Sequence, residues 1–337
     1  MKTLSQPSIS ALLATTLVLA VLPVVVATAF GAEPPPISDT EKLVAAARFK
    51  VVEERYRGAG NDTIFHAVYL PSDWKPDQSY PVIVEYPGNK FAGKGWDGNV
   101  MQLSGLADSA HMGFYLAGDP GSAESGKGAI WVVMPLIRYD PKEPLNLKSH
   151  RPAPTWWGCR DDDYSDAAIN DVVGQRLAAE YLRQALPGVC QRYGGDPKRV
   201  VLTGFSRGAI AGGWIGRADD ATAALFCGFV LDAHHDGSGK PLSPADPEGI
   251  RARRGVGSPS LLLAGEKDNG RASTEAGAAA LRKVGAPVEL RIIPDIPHTD
   301  EWLYDRNYTT PAFRAARDEA RTFLHHLWDL PTIRTGP

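Results

Sequence analysis

The sequence predicts an α/β domain on a mostly parallel sheet, with an antiparallel hairpin at its amino end and helices on both faces. Three observations carry this reading. Short apolar runs of the buried-strand type recur along the chain, and segments of helical pattern separate most of them. Before them stand two alternating stretches divided by turn residues. Strands that alternate with helices favour parallel pairing, because each crossover helix returns the chain to the same end of the sheet.

The elements follow in order. Phe49–Glu54 and Thr63–Leu70 alternate apolar and polar positions around Gly58-Ala59-Gly60-Asn61-Asp62, a hairpin signal. The buried runs are Val82–Tyr86, Ala129–Met134, Val200–Thr203, Phe226–Leu231, Ser260–Ala264 and Val288–Ile293. Helical patterns are expected over Ala167–Tyr193, Ala209–Gly216, Ser273–Val284 and Pro311–Trp328. Two connections are too long for plain turns. One follows Ala129–Met134 and contains Pro141, Pro144, Pro152, Pro154 and Trp156-Trp157; the other runs from His234 to about Gly257. Ligands bind beyond the carboxyl ends of parallel strands, so these loops are the expected walls of a site.

Ahead of this domain lies a different kind of segment. No charge falls between Thr3 and Ala32, Ala11 to Ala29 is almost wholly apolar, and Ala27-Thr28-Ala29 has the small residues of a cleavage site. Residues 1–29 are expected to be a secretory signal peptide, with an uncleaved anchor through residues 9–32 as the alternative. Residues 30–48 form a proline-rich linker and a short helix, and residues 49–330 the folded domain. The mature chain is then secreted or periplasmic, with no stable membrane insertion. Such a compartment permits one disulfide among Cys159, Cys190 and Cys227, and three reduced thiols are the alternative.

Composition narrows the functions. Hydrophobic residues at 43% and charged residues at 22% match a globular chain and exclude a disordered one. A net charge of −3 without a basic block argues against nucleic acid as a partner. Three scattered cysteines exclude a zinc ribbon or a disulfide framework.

The sharpest chemical signal is Gly204-Phe205-Ser206-Arg207-Gly208, placed between the run Val200–Thr203 and the helical pattern from Ala209. A G-x-S-x-G at a strand-to-helix junction makes a turn so tight that the positions two residues before and after the serine must be small, hence the flanking glycines. It lifts the serine oxygen to the amino end of the helix, where free amides favour developing negative charge. A serine hydroxyl needs a base to take its proton and an acid to orient that base. His298 follows the last strand and Asp268 the one before it, 30 residues apart and in the order Ser, Asp, His. Asp232 and Asp236, near the end of the run Phe226–Leu231, are reserve candidates for the acid.

On the residues Gly204–Gly208, Gly265–Asp268 and Pro297-His298 the chain resembles the α/β-hydrolases over roughly 49–330. It is particularly similar to secreted esterases of the polyhydroxybutyrate-depolymerase, feruloyl-esterase and acetylxylan-esterase kind. The resemblance implies that Ser206 attacks an acyl carbon, His298 shuttles the proton and Asp268 fixes the imidazole tautomer. It implies an oxyanion hole from the Arg207 amide and a second amide in Tyr86-Pro87-Gly88-Asn89. There Pro87 stands where the family usually has histidine, and Asn89 is favoured over Gly88 as the donor. The Arg207 side chain has two readings, contact with an acidic substrate group or pairing within Asp161-Asp162-Asp163.

Other constellations carry less. Trp156-Trp157 would stack a sugar or aryl group, or pack their loop onto the body. His234-His235 beside Asp232 and Asp236 suggests a metal, but neighbours in an extended chain point to opposite faces, so no metal is expected; His234 is read as a substrate contact, with structural hydrogen bonding as the other reading. Nothing resembles a nucleotide, flavin or haem motif, so no cofactor is expected. The expected function is hydrolysis of short-chain acyl or aryl carboxylic esters, carbohydrate-linked ones included, through an acyl-serine. The alternatives are a serine peptidase of the prolyl-oligopeptidase type and a catalytically silent binding module.

Overall fold

Three antiparallel strands open the sheet: β1 (Glu41–Leu43), β2 (Phe49–Glu54) and β3 (His66–Pro71). From β4 (Tyr80–Tyr86) the chain passes through α1 (Met112–Leu116) to β5 (Ile130–Val133), then makes a small antiparallel pair, β6 (Leu136–Arg138) and β7 (Arg151–Ala153). There follow α2 (Val172–Tyr193), β8 (Gly195–Phe205), α3 (Arg207–Ile215), α4 (Asp220–Ala223), β9 (Gly228–Asp232), α5 (Ile250–Arg254) and β10 (Ser260–Gly265). The chain closes with α6 (Arg271–Lys283), β11 (Val288–Ile293), α7 (Glu301–Tyr304) and α8 (Pro311–Asp329). This computed structural model describes residues 41–43, 49–54, 64, 66–88, 112–122, 126–138, 142, 147, 151–153, 172–233, 249–304 and 310–329. All of them belong to one unit, Pro34–Pro337.

Among the described residues the main sheet has the order β1-β2-β3-β5-β4-β8-β9-β10-β11. β3 runs antiparallel to β5, and every pairing from β5 through β4 to β11 is parallel. The expected hairpin is β2–β3, with Glu54 opposite His66. Two local expectations need correction. Glu41–Leu43 lies where a short helix was expected, yet it is extended and pairs with Lys50–Val52, because the open edge of β2 offers hydrogen bonds that a three-residue helix could not make for itself. Ile250–Arg254, expected as loop, is helical. The expected signal segment 1–29 lies outside the described residues. Among those described, no helix is long and apolar enough to cross a membrane.

Alternation along the strands sends side chains to two cores. On one face Val68, Val82, Val84, Val132, Leu202 and Leu231 pack with α2, α3 and α6. On the other, Tyr69, Ile83, Trp131, Val201, Val230 and Leu263 pack with α1, α7 and α8. Both faces are covered, which is why the central strands are apolar throughout rather than alternating. Helix α3 lies very close to the sheet: a Cβ at Gly212 would come within 2.4 Å of the Leu202 side chain. Glycine costs a helix about 1 kcal/mol relative to alanine, and the close packing offsets it.

His66 is buried in the first core region, with Nδ1 2.8 Å from the Tyr181 hydroxyl. Burial lowers its pKa from 6.5 to about 3. Between those values the unfolded chain binds a proton that the folded chain refuses, so stability is lost as pH falls through that window. Thermal unfolding midpoints measured across it are expected to fall, and less steeply in His66→Gln. Equal slopes in the two proteins would show that His66 is not the group responsible.

Candidate active site

Strand β8 delivers Ser206 at its carboxyl end and α3 begins at the next residue. The serine backbone has φ 56° and ψ −122°, a conformation that side-chain-bearing residues avoid. Neighbouring glycines make this turn sterically possible. A Cβ at Gly204 would lie 2.4 Å from the Gly208 carbonyl, and a Cβ at Gly208 would lie 2.2 Å from the Tyr86 carbonyl oxygen. The turn is held from β9, where the Asp232 carbonyl accepts the Ser206 N–H at 2.9 Å.

Three side chains from three strand ends meet here. The Ser206 hydroxyl is 2.9 Å from His298 Nε2, and His298 Nδ1 is 3.0 Å from both carboxylate oxygens of Asp268. Nδ1–H donating to Asp268 leaves the Nε2 lone pair to accept the serine proton. The Asp268 side chain is fully buried and also accepts the Gly270 N–H, while the His298 side chain is 28% exposed. The imidazole stacks on Phe205, with ring centroids 5.0 Å apart, which fixes its plane. Buried acid, oriented imidazole and a strained serine at a helix start are suited to nucleophilic attack on an acyl carbon.

The loops carrying Asp268 and His298 are tied together. The Ile293 and Ile296 carbonyls accept the N–H groups of Glu266 and Lys267, each at 2.8 Å. Asp295, at φ 61°, pairs with Lys267 Nζ at 2.8 Å. A Cβ at Gly265 would sit 2.2 Å from the Ile296 oxygen, so only glycine allows this approach. Asp268 and His298 are thus set on one doubly bonded scaffold.

Gly208 faces the turn from which the second oxyanion amide was expected: a Cβ there would also lie 2.9 Å from the Pro87 carbonyl carbon and 3.1 Å from Gly88 N. The candidate donor Arg207 is the first residue of α3, and Gly88 lies beside the next residue, Gly208, across this contact. Asn89 lies outside the described residues. Gly208→Ala is therefore expected to push the Pro87-Gly88 turn outward and lower kcat on an ester substrate about 10²-fold or more, the size of one lost oxyanion donor. A kcat unchanged in the folded variant would detach this turn from the reaction.

Sequence reasoning missed Glu85, although a charge inside the run Val82–Tyr86 was a visible signal. It is fully buried one strand position before Tyr86. Its carboxylate accepts from Met112 N at 2.9 Å, Gly113 N at 2.8 Å and the Trp131 indole at 2.8 Å. The start of α1 is thereby fastened to the end of β4, just before the Pro87-Gly88 turn. The reserve acid Asp232 points elsewhere: its carboxyl accepts the Trp302 indole N–H at 2.9 Å, and Asp268 occupies the place beside His298. Trp156, Trp157, His234 and Asp236 lie outside the described residues. So does Cys159, while Cys190 is a buried free thiol. Among the described residues no group of three or more His, Cys, Asp or Glu could hold a metal ion.

No protein-family model and no curated protein sequence matches the chain. Its likeness is to solved structures. A hyperthermophilic esterase from the archaeon Pyrobaculum calidifontis superposes with a TM-score of 0.51 at 16% identity, over 86% of this chain and 85% of that one. A thermostable esterase from Pseudomonas putida gives 0.50 at 18% identity, over 84% of each chain. The chain has the α/β-hydrolase fold. A candidate dipeptidyl aminopeptidase IV from Bacteroides ovatus shares it as well, with a TM-score of 0.51 at 13% identity, but the match spans only 37% of that longer chain. In this α/β-hydrolase fold Ser206, Asp268 and His298 stand after β8, β10 and β11, at the same end of the parallel sheet.

Proposed function

We propose that the chain is a serine hydrolase that cleaves carboxylic esters through a covalent acyl-serine on Ser206. The observation that supports it most is the unbroken hydrogen-bond chain from the Ser206 hydroxyl through His298 to the buried Asp268. His298 takes the hydroxyl proton as the oxygen attacks the acyl carbon. The oxyanion formed is held by the Arg207 amide and an amide of the Gly88-Asn89 turn. Collapse expels the alcohol, which receives the proton from His298, and water then repeats the sequence to release the acid. The expected substrates are short-chain acyl or aryl esters, carbohydrate-linked ones included, and the expected place of action is outside the cytoplasm after removal of residues 1–29.

Labelling by a fluorophosphonate tests the activated serine, and a panel of p-nitrophenyl esters from acetate to decanoate, with feruloyl and acetylated-sugar esters, tests the acyl preference. Labelling at Ser206 with turnover of the shorter esters is the result that fits. An unlabelled protein would return the chain to the silent-module reading. Cleavage of proline-containing peptide amides in preference to esters would favour the peptidase reading.

A further inference from the structure

We infer that Asp232 is a positioning residue that holds the nucleophile turn and the histidine turn in register, through its backbone carbonyl on one side and the Trp302 indole on the other. This rests on the serine-hydrolase reading and adds to it a residue outside the Ser–His–Asp set. Asp232 ends β9, directly opposite Phe205 in the parallel pairing, and is 1% exposed. Its carbonyl oxygen accepts the Ser206 N–H at 2.9 Å and so pins the strained turn. Its carboxyl accepts Trp302 Nε1–H, also at 2.9 Å. Trp302 is fully buried in α7, four residues beyond His298, and Leu303 N–H bonds back to the Asp300 carbonyl to start that helix. One residue therefore touches both the serine's own amide and the element that terminates the histidine loop.

A buried indole needs an acceptor, but a backbone carbonyl would satisfy it at far less cost than a carboxyl. The carboxyl at this place therefore calls for a further reason, and its reach supplies one: it crosses from β9 to α7 behind the reacting groups. Burial, with Asp300 and Asp268 nearby, raises its pKa well above the ordinary carboxylate value. A protonated Asp232 accepts the indole without setting a second negative charge against Asp268, whose charge steadies His298.

The test compares Asp232→Ala, Asp232→Asn, Trp302→Phe and the Ala/Phe double variant, each screened for a cooperative thermal transition. Turnover of p-nitrophenyl acetate and the rate of fluorophosphonate labelling are the readouts. Asp232→Ala and Trp302→Phe are each expected to lower kcat and the labelling rate about 10- to 100-fold with KM nearly unchanged, as small misplacements of reacting groups do. The double variant should be no slower than the slower single one, because both remove the same tie. Asp232→Asn keeps a neutral acceptor and should retain most of the activity. Folded Ala and Phe variants with unmodified kcat overturn the inference, as does an Asn variant as slow as the Ala one. If Asp232→Ala does not fold, Trp302→Phe and Asp232→Asn decide it by the same measures. A wild-type chain that takes no label sinks the serine-hydrolase reading itself, and this inference with it.

Discussion

Replacing Ser206 by alanine is expected to lower kcat for ester hydrolysis by about 10⁴- to 10⁶-fold while leaving the fold intact. Alanine is smaller than serine and fits the same strained turn, so the loss is of the nucleophile and not of the scaffold. What survives comes from the oxyanion amides and substrate binding, which can still accelerate attack by water. Burst-phase release of p-nitrophenol should disappear together with steady-state turnover, since no acyl-serine can form. In the unmodified protein chelators should leave the rate unchanged, as the proposed steps need no metal. Full activity in Ser206→Ala, or activity lost on chelation and restored by zinc, would move the chemistry to His234-His235.

Asp268→Asn is expected to cost about 10⁴-fold in kcat, nearly as much, although the side chains are almost the same shape. Both Asp268 oxygens stand 3.0 Å from His298 Nδ1, and one also receives the Gly270 N–H. An amide there must accept from Gly270 and would turn its NH₂ toward the imidazole. Nδ1 then becomes the acceptor, Nε2 carries the hydrogen, and the nitrogen facing Ser206 has no lone pair to offer. Measured KM should change little, because the Asp268 side chain is fully buried behind His298. Near-normal turnover in Asp268→Asn would mean that another acid orients His298, with Asp232 the first to examine by combining the two substitutions.

Much of the architecture was legible from local pattern. The apolar runs at Val82–Tyr86 and Ser260–Ala264 fall inside β4 and β10, and Val288–Ile293 is β11. β4 and β10 are legible because a buried strand must be apolar on both faces, and β11, at the edge of the sheet, because it alternates half-buried and exposed positions. β8 was legible only in part. It begins at Gly195, ahead of the apolar run at Val200, because its first residues are half-exposed and polar. β1 was not legible at all. Three residues carry no periodicity, and only the waiting edge of β2 makes them a strand.

The same division holds at the site. Gly204 and Ser206 state their own geometry, because the crowding at Gly204 comes from Gly208 and Ala209 of the same tight turn, whereas the crowding at Gly208 comes from Tyr86, Pro87 and Gly88 of another strand end. The order Ser206, Asp268, His298 was likewise readable from the strand ends. On that order Asp268 was read as the acid, with Asp232 and Asp236 in reserve. Asp232 and Asp268 both end a parallel strand, and only the tying of the Glu266–Lys267 turn to the Ile293–Ile296 turn, with Trp302 claiming Asp232, sets Asp268 beside His298. Glu85 belongs to the same group: its charge was visible, but its partners, Met112, Gly113 and Trp131, come from distant segments. Sequence alone determined the strand–helix alternation, the serine turn and the set of candidate groups, since sterics and burial act over a few neighbouring residues. The tertiary structure decided which candidates meet, because a hydrogen bond between residues tens of positions apart depends on the register of whole strands, which local pattern does not record.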